Sequence, residues 1–187
     1  MSTPRRSARG FTLIELLMTV AVLAVLLGLA APGYAGFMGH LRGRAARSAL
    51  GTALNLARMS AVNHATVVLV CPSVDGSQCS HDIRWQHGWL VFEDSDRDGA
   101  PSAGERMLSI AQAQPPGVAI VSSAGRLHVA YQPDGSASGS NLTLTVCDRA
   151  EGTAGATTLV VSQSGRVRSG QATPPAAAAC LREAAES

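Results

Sequence analysis

Arg166 and Arg168, which follow Gly165 with Val167 between them, are the residues of this chain best suited by type and spacing to hold a ligand. If the segment is extended, strand alternation turns both guanidinium groups to one face about 7 Å apart and Val167 to the other. That separation suits neighbouring phosphates of a nucleic acid strand, each of which a guanidinium can grip through two hydrogen bonds. Arg149, beside Cys147, and Arg182, near Cys180, are further candidate contacts. An exposed strand end that carries arginine for solubility is the plainer reading of the same pair.

A second constellation is acidic. Asp94, Asp96 and Asp98, followed by Gly99 and Glu105, fit the twelve-residue calcium-loop template, with acids at positions 1, 3, 5 and 12 and glycine at 6. The flanking residues are strand-like where that template needs helices, and Arg97 and Pro101 fall inside it. Because Asp and Gly supply turn geometry by themselves, a structural turn without metal is expected, with calcium as the alternative. Cys79, His81 and His87 have irregular spacing and no evident fourth ligand, so zinc is not expected. The remaining histidines are scattered, and neither a nucleophile motif nor a phosphate-cradling glycine loop is present. No enzymatic activity and no cofactor are expected.

The elements that must position these residues follow from periodicity. Alternating, β-rich runs at 66–71, 88–92, 107–110, 118–121, 127–131, 142–147 and 157–162 are separated by Gly, Pro, Ser and Asp clusters. Leu142, Leu144 and Val146 alternate with Thr143 and Thr145, as an antiparallel strand with one buried face requires. Before them, Phe37, Leu41, Leu50, Leu54, Ala57 and Ala61 form the apolar stripe of a helix reaching about Asn63, with Arg42, Arg44, Arg47 and Arg58 on its solvated face. The expected fold is α+β: one long N-terminal helix, then an antiparallel β-domain of two packed sheets. The Gly-, Pro- and Ala-rich residues 171–187 are expected to be a flexible tail.

Cysteine count and compartment belong together. Residues 11–31 are almost wholly apolar and long enough to cross a hydrocarbon core of about 30 Å, and the arginines on their N-terminal side place that end in the cytoplasm. The rest of the chain is then exported, where the four cysteines are expected to form two disulfides. Cys71 with Cys79, across a turn-rich insert, and Cys147 with Cys180 are the pairings expected, worth about 2.5 and 3.7 kcal/mol by chain entropy. An ordinary secretory signal cut near Ala30 and Ala31 is the alternative for the apolar run. Glu15 argues against it, because a carboxylate inside such a run is costly.

The segment Arg9-Gly10-Phe11-Thr12-Leu13-Ile14-Glu15-Leu16 resembles the class III signal of type IV pilins and type II secretion pseudopilins. The resemblance implies cleavage after Gly10 by prepilin peptidase, methylation of the Phe11 amine, and pairing of Glu15 with the N-terminus of a neighbouring subunit. Cys71-Pro72-Ser73 with Cys79, the run Gly88-Trp89-Leu90-Val91-Phe92, and Gly165-Arg166-Val167-Arg168 narrow the likeness to minor pilins and pseudopilins of the FimT/GspH family. That likeness implies a leader at 1–10, a transmembrane half-helix at 11–31, an amphipathic half at 32–64 and a β-domain at 65–170. It further implies an inner-membrane protein with a periplasmic domain that enters a pilus with other major and minor pilins. For FimT-type members the Gly-Arg-x-Arg motif implies binding of double-stranded DNA during natural transformation, and for GspH-type members the role is structural, in a type II secretion system.

Net charge limits how DNA could be held. The formal charge is +2, with 15 cationic residues, all arginine, against 13 acidic ones. Removing Arg5, Arg6 and Arg9 with the leader leaves 12 against 13, or about −1. Polyanion binding therefore has to come from a local patch.

Overall fold

The long apolar and alanine-rich N-terminal sequence contains no run of strand-forming residues bounded by turns, and it folds as one helix, α1 (Leu13–His64). The computed structural model describes residues 12–137 and 139–186, without the side chains of 30–33, 35 and 36. The chain divides into two units, Met1–Phe37 and Met38–Ser187, and α1 contributes residues to both.

In the first unit the described apolar side chains point outward all round the helix: Leu13, Ile14, Leu17, Val20, Leu23 and Leu27 are all more than half exposed. Among the described residues no helix is long and apolar enough to cross a membrane. Both ends of the expected span lie outside the described set, since Phe11 and the side chains of 30–33 are not in it, so the span over 11–31 rests on the sequence. Pro32 lies inside α1. A proline removes one backbone donor, and the turns on either side keep the helix going through that loss.

The second unit is built on the buried stripe of α1: Ala46, Leu50, Ala53, Leu54, Ala57 and Ala61. Phe37 and Leu41, expected at the head of this stripe, are exposed at 59% and 43%. Their places are taken by buried Gly39 and Gly43. A Cβ at Gly39 would come within 2.7 Å of the Ala150 Cβ and 2.8 Å of Asp148 Oδ1. At this end the helix packs by close backbone approach, which an apolar periodicity cannot reveal.

Eight strands follow: β1 (Val68–Pro72), β2 (Trp89–Glu93), β3 (Met107–Ala111), β4 (Val118–Ser122), β5 (Val129–Tyr131), β6 (Leu142–Asp148), β7 (Thr157–Val161) and β8 (Val167–Gln171). They form two antiparallel four-stranded sheets, in the orders β3-β2-β1-β5 and β4-β6-β7-β8. The α1 stripe meets the inner faces of both, where Val68, Val70, Val91 and Tyr131 of one sheet share a core with Ile120, Leu144, Val146 and Leu159 of the other. Trp85, fully buried in that core, donates its backbone N–H to the Ile120 carbonyl and joins the connecting segment to β4. The residues that alternate with these form a second cluster on the first sheet, of Leu69, Cys71, Leu90 and Phe92.

Two elements differ from expectation. The segment 171–187, expected to be a mobile tail, contains the helix α2 (Pro174–Glu186). Its buried residues Ala177, Cys180 and Ala184 cover Ala119 and Cys147 on the outer face of the second sheet. β8 lies where no strand was assigned, because Val-Arg-Ser-Gly-Gln has a single apolar residue and its register comes from β7. Both disulfides join the expected partners, Cys71 with Cys79 and Cys147 with Cys180.

Candidate functional site

β7 and β8 form a hairpin whose turn ends in Gly165. The Gly165 N–H donates to the Ser162 carbonyl at 2.8 Å, and the Ser162 N–H to the Arg166 carbonyl at 3.0 Å. Gly165 has φ +74°, and a Cβ there would lie 1.9 Å from the Gly135 carbonyl oxygen. Both the backbone conformation and the space demand glycine.

Arg58 of α1 fixes this turn. Its Nε donates to the Gly135 carbonyl at 2.9 Å and its Nη2 to the Ser164 carbonyl at 3.3 Å, linking two turns to the helix. Arg58 is thus a structural brace, not a member of a purely solvated face. Sequence reasoning missed it because its partners stand 77 and 106 residues away and carry no side-chain signal, being carbonyls.

From that braced turn the chain exits into Arg166, Val167 and Arg168. Val167 pairs with buried Val161 and packs half-buried against the core, so Arg166 and Arg168 face the opposite way. Arg168 lies beside exposed Val160, and Arg166 Nε approaches Ser164 Oγ at 3.4 Å. β8 is the edge of its sheet, so both guanidinium groups border an open strand. On the inner side of the same edge an open groove of about 480 Å³ is lined by Arg44 and Arg47 of α1 with Val167 and Ser169 of β8. Among the described residues none of Arg44, Arg47, Arg166 and Arg168 forms an ion pair with an acid, whereas Arg42, Arg84 and Arg106 do. Glu151, which lines an adjoining cleft with Arg44 and Arg47, is held by His40 Nδ1.

The other two cations expected near this motif are not brought to it. Thr143 pairs with Val160, which pairs with Arg168, and Arg149 lies six residues beyond Thr143, just past the end of β6 and about 20 Å away. Arg182 is exposed on α2, two residues past Cys180 and so anchored at the Cys147 end of the sheet.

Of the processing residues, Gly10 and Phe11 lie outside the described residues. Glu15 is exposed in the first turn of α1, with its backbone N–H bonded to Thr12 Oγ1. In the disulfide loop Asp75 accepts hydrogen bonds from the Ser77 N–H and hydroxyl and from the Gln78 N–H, which together hold its carboxyl well below the usual range. In the acidic loop between β2 and β3, Asp94, Asp96 and Asp98 bring carboxylate oxygens within 4.8 Å of one another.

A family model described as Type II transport protein GspH matches residues 46–165. One described as Prokaryotic N-terminal methylation motif matches residues 5–31. Among solved structures the chain is similar to the type IV minor pilin FimU of Pseudomonas aeruginosa, at 18% identity and a TM-score of 0.51, over 71% of this chain and 89% of that one. It is also similar to the minor pseudopilin EpsH from the Type 2 Secretion System of Vibrio cholerae, at 11% identity and a TM-score of 0.50, over 70% of this chain and 97% of that one. At such identities the likeness is one of fold. No curated protein is similar to the chain in sequence. A helix leading into two antiparallel sheets, as in the pilin fold, a methylation motif at its head and a family match over most of the second unit together give the conclusion that this protein belongs to the GspH family.

Proposed function

We propose that the protein is a minor pilin that takes part in assembling a type IV pilus and binds extracellular double-stranded DNA through its phosphate backbone, for uptake in natural transformation. The observation that carries this reading is the Gly165-Arg166-Val167-Arg168 hairpin exit: two outward guanidinium groups without acidic partners on an open sheet edge, held by a turn that admits only glycine. Contacts of this kind position a protein on a duplex without reading its sequence. The apolar, outward-facing first unit supports a single-pass anchor in the inner membrane, with the second unit in the periplasm and, after assembly, on the pilus. Prepilin peptidase, acting after Gly10, and neighbouring pilins, meeting Glu15, are the partners this reading requires.

A gel-shift and fluorescence titration of the purified chain against a random-sequence duplex tests it, with Arg166→Gln/Arg168→Gln as the comparison. Losing two phosphate contacts should flatten the log–log salt slope by up to about 1.8. Unchanged affinity and slope in the double variant would sink the assignment.

The family description favours a second reading, a structural minor pseudopilin in a type II secretion system. It predicts no measurable DNA binding by the wild-type chain, and copurification with other minor pseudopilins instead.

A further inference from the structure

The loop between β2 and β3 has no part in either reading, yet it holds the densest cluster of acids in the second unit. We propose that this loop binds one calcium ion through Asp94, Asp96, Asp98 and Glu105. In sequence the run Asp-Ser-Asp-Arg-Asp-Gly followed after five residues by Glu105 matches the complete twelve-residue calcium-loop pattern, and it places the Ala100 carbonyl and Ser102 at the seventh and ninth positions. A sequence pattern of this kind also arises in plain turns. Two features of the folded protein go beyond it.

The first is convergence without an ion pair. One carboxylate oxygen from each of Asp94, Asp96 and Asp98 lies within 4.8 Å of the others. Among the described residues no ion pair joins any of the three to an arginine or histidine, although Arg97 lies between two of them in sequence and the His128 imidazole is close enough to Asp94 to feel its charge. Like charges gathered this closely repel unless a cation lies among them.

The second is an orphan. Asp94 is only 3% exposed, and its Oδ1 is buried with no hydrogen-bond partner. Buried polar groups are almost always paired, and a buried carboxylate oxygen left unpaired is the most costly kind of exception. Burial pushes the Asp94 carboxyl up, the Gly99 and Arg97 backbone N–H groups oppose the shift, and the negative charges of Glu105 and Asp98 reinforce it. Asp96 and Asp98 close the turn by accepting from the Asp98 and Ala100 N–H groups, and the bonds that Asp94 accepts from the Gly99 and Arg97 N–H groups still leave its buried Oδ1 unpartnered.

Glu105 lies outside the 4.8 Å cluster of the three aspartates and would join them from the far end of the loop. It accepts hydrogen bonds from the Ser95 N–H and the Ser102 N–H, which hold it across the loop from its start. A carboxylate has about four lone-pair sites, so both bonds can persist while Glu105 ligates. An all-oxygen donor set on a loop, with no sulfur or imidazole, selects calcium over zinc, and an irregular arrangement of several carboxylates suits calcium better than the strict octahedron of magnesium. The strands that flank the loop replace the helices of the familiar motif without altering the donors.

The test uses the full chain in detergent, stripped with EGTA and titrated with CaCl2 by calorimetry while Tm is followed. Asp96→Asn/Asp98→Asn changes two exposed residues and should melt with the wild type in EGTA. Asp94→Asn removes the buried charge and should melt no lower than the wild type in EGTA. The expected result is one site in the wild type, a Tm rise of about 3–6 °C at a tenfold excess over Kd, a much smaller rise with MgCl2, and no calcium response in either variant. Absence of both heat and Tm shift at 5 mM calcium in the wild type, or a shift retained in Asp96→Asn/Asp98→Asn, would overturn the assignment.

Discussion

Gly165 and the two arginines after it divide labour in a way that substitution can separate. The glycine is required by its φ of +74° and by the Gly135 carbonyl 1.9 Å from where a Cβ would be, neither of which involves charge. Gly165→Ala should therefore destabilise the second unit by about 2–3 kcal/mol, read as a lower urea midpoint, while the folded fraction keeps its arginines. The arginine pair should show the reverse, since both side chains are exposed: the double glutamine variant leaves the urea midpoint in place and changes the salt slope. Gly-Arg-x-Arg and its alternation were legible in the sequence. Arg58 was not, because a helix residue aimed at two distant carbonyls looks the same in sequence as one aimed at water. The acidic loop lies between these cases. Its spacing was plain, and only the burial of Asp94 with an unpartnered oxygen distinguishes a ligand from a turn residue.

α2 and β8 were the elements least visible in sequence, for different reasons. Residues 174–186 have the composition of a linker, yet Pro174 occupies the first helical position, where its missing N–H is harmless, and an alanine run follows with the highest helix propensity. A helix of 13 residues is marginal in isolation, so it owes its existence to the surface beneath it, where Ala177, Cys180 and Ala184 meet Ala119 and Cys147. The bridge to Cys147 spans 33 residues and ties α2 to β6. Cys147→Ser/Cys180→Ser should lower stability by up to about 3.7 kcal/mol in chemical denaturation, with α2 becoming the first site of proteolytic cleavage. β8 carries no apolar alternation, since it is an edge strand with only Val167 turned to the core. Arginine on such an edge also discourages pairing with other chains, so its presence alone does not identify a ligand site.

For the whole molecule the decisive quantity is where charge is left unpaired. The net charge of +2 falls to about −1 without the leader, which leaves no net positive charge to draw the protein as a whole to DNA. The fold nevertheless places Arg44 and Arg47 on the inner side of the β8 edge and Arg166 and Arg168 on the outer side. If all four meet phosphates, the log–log salt slope is about −3.6, and raising salt from about 50 to 200 mM should weaken binding roughly 150-fold, measurable by fluorescence anisotropy. A slope near −1.8 would restrict contact to the Arg166 and Arg168 pair. Local periodicity was enough to establish the class of this protein: a processing motif, an apolar helix with Glu15 near its start, alternating strands and two pairs of cysteines at closable distances. These are properties of short segments, and secondary structure answers to short segments. Only the tertiary structure decided that residues 171–187 contain a helix, that Arg58 is a brace, that Arg149 and Arg182 stand apart from the Arg166 and Arg168 edge, and that one oxygen of Asp94 is buried without a partner. Each of those depends on groups far apart in the chain meeting at one place, which no spacing along the sequence encodes.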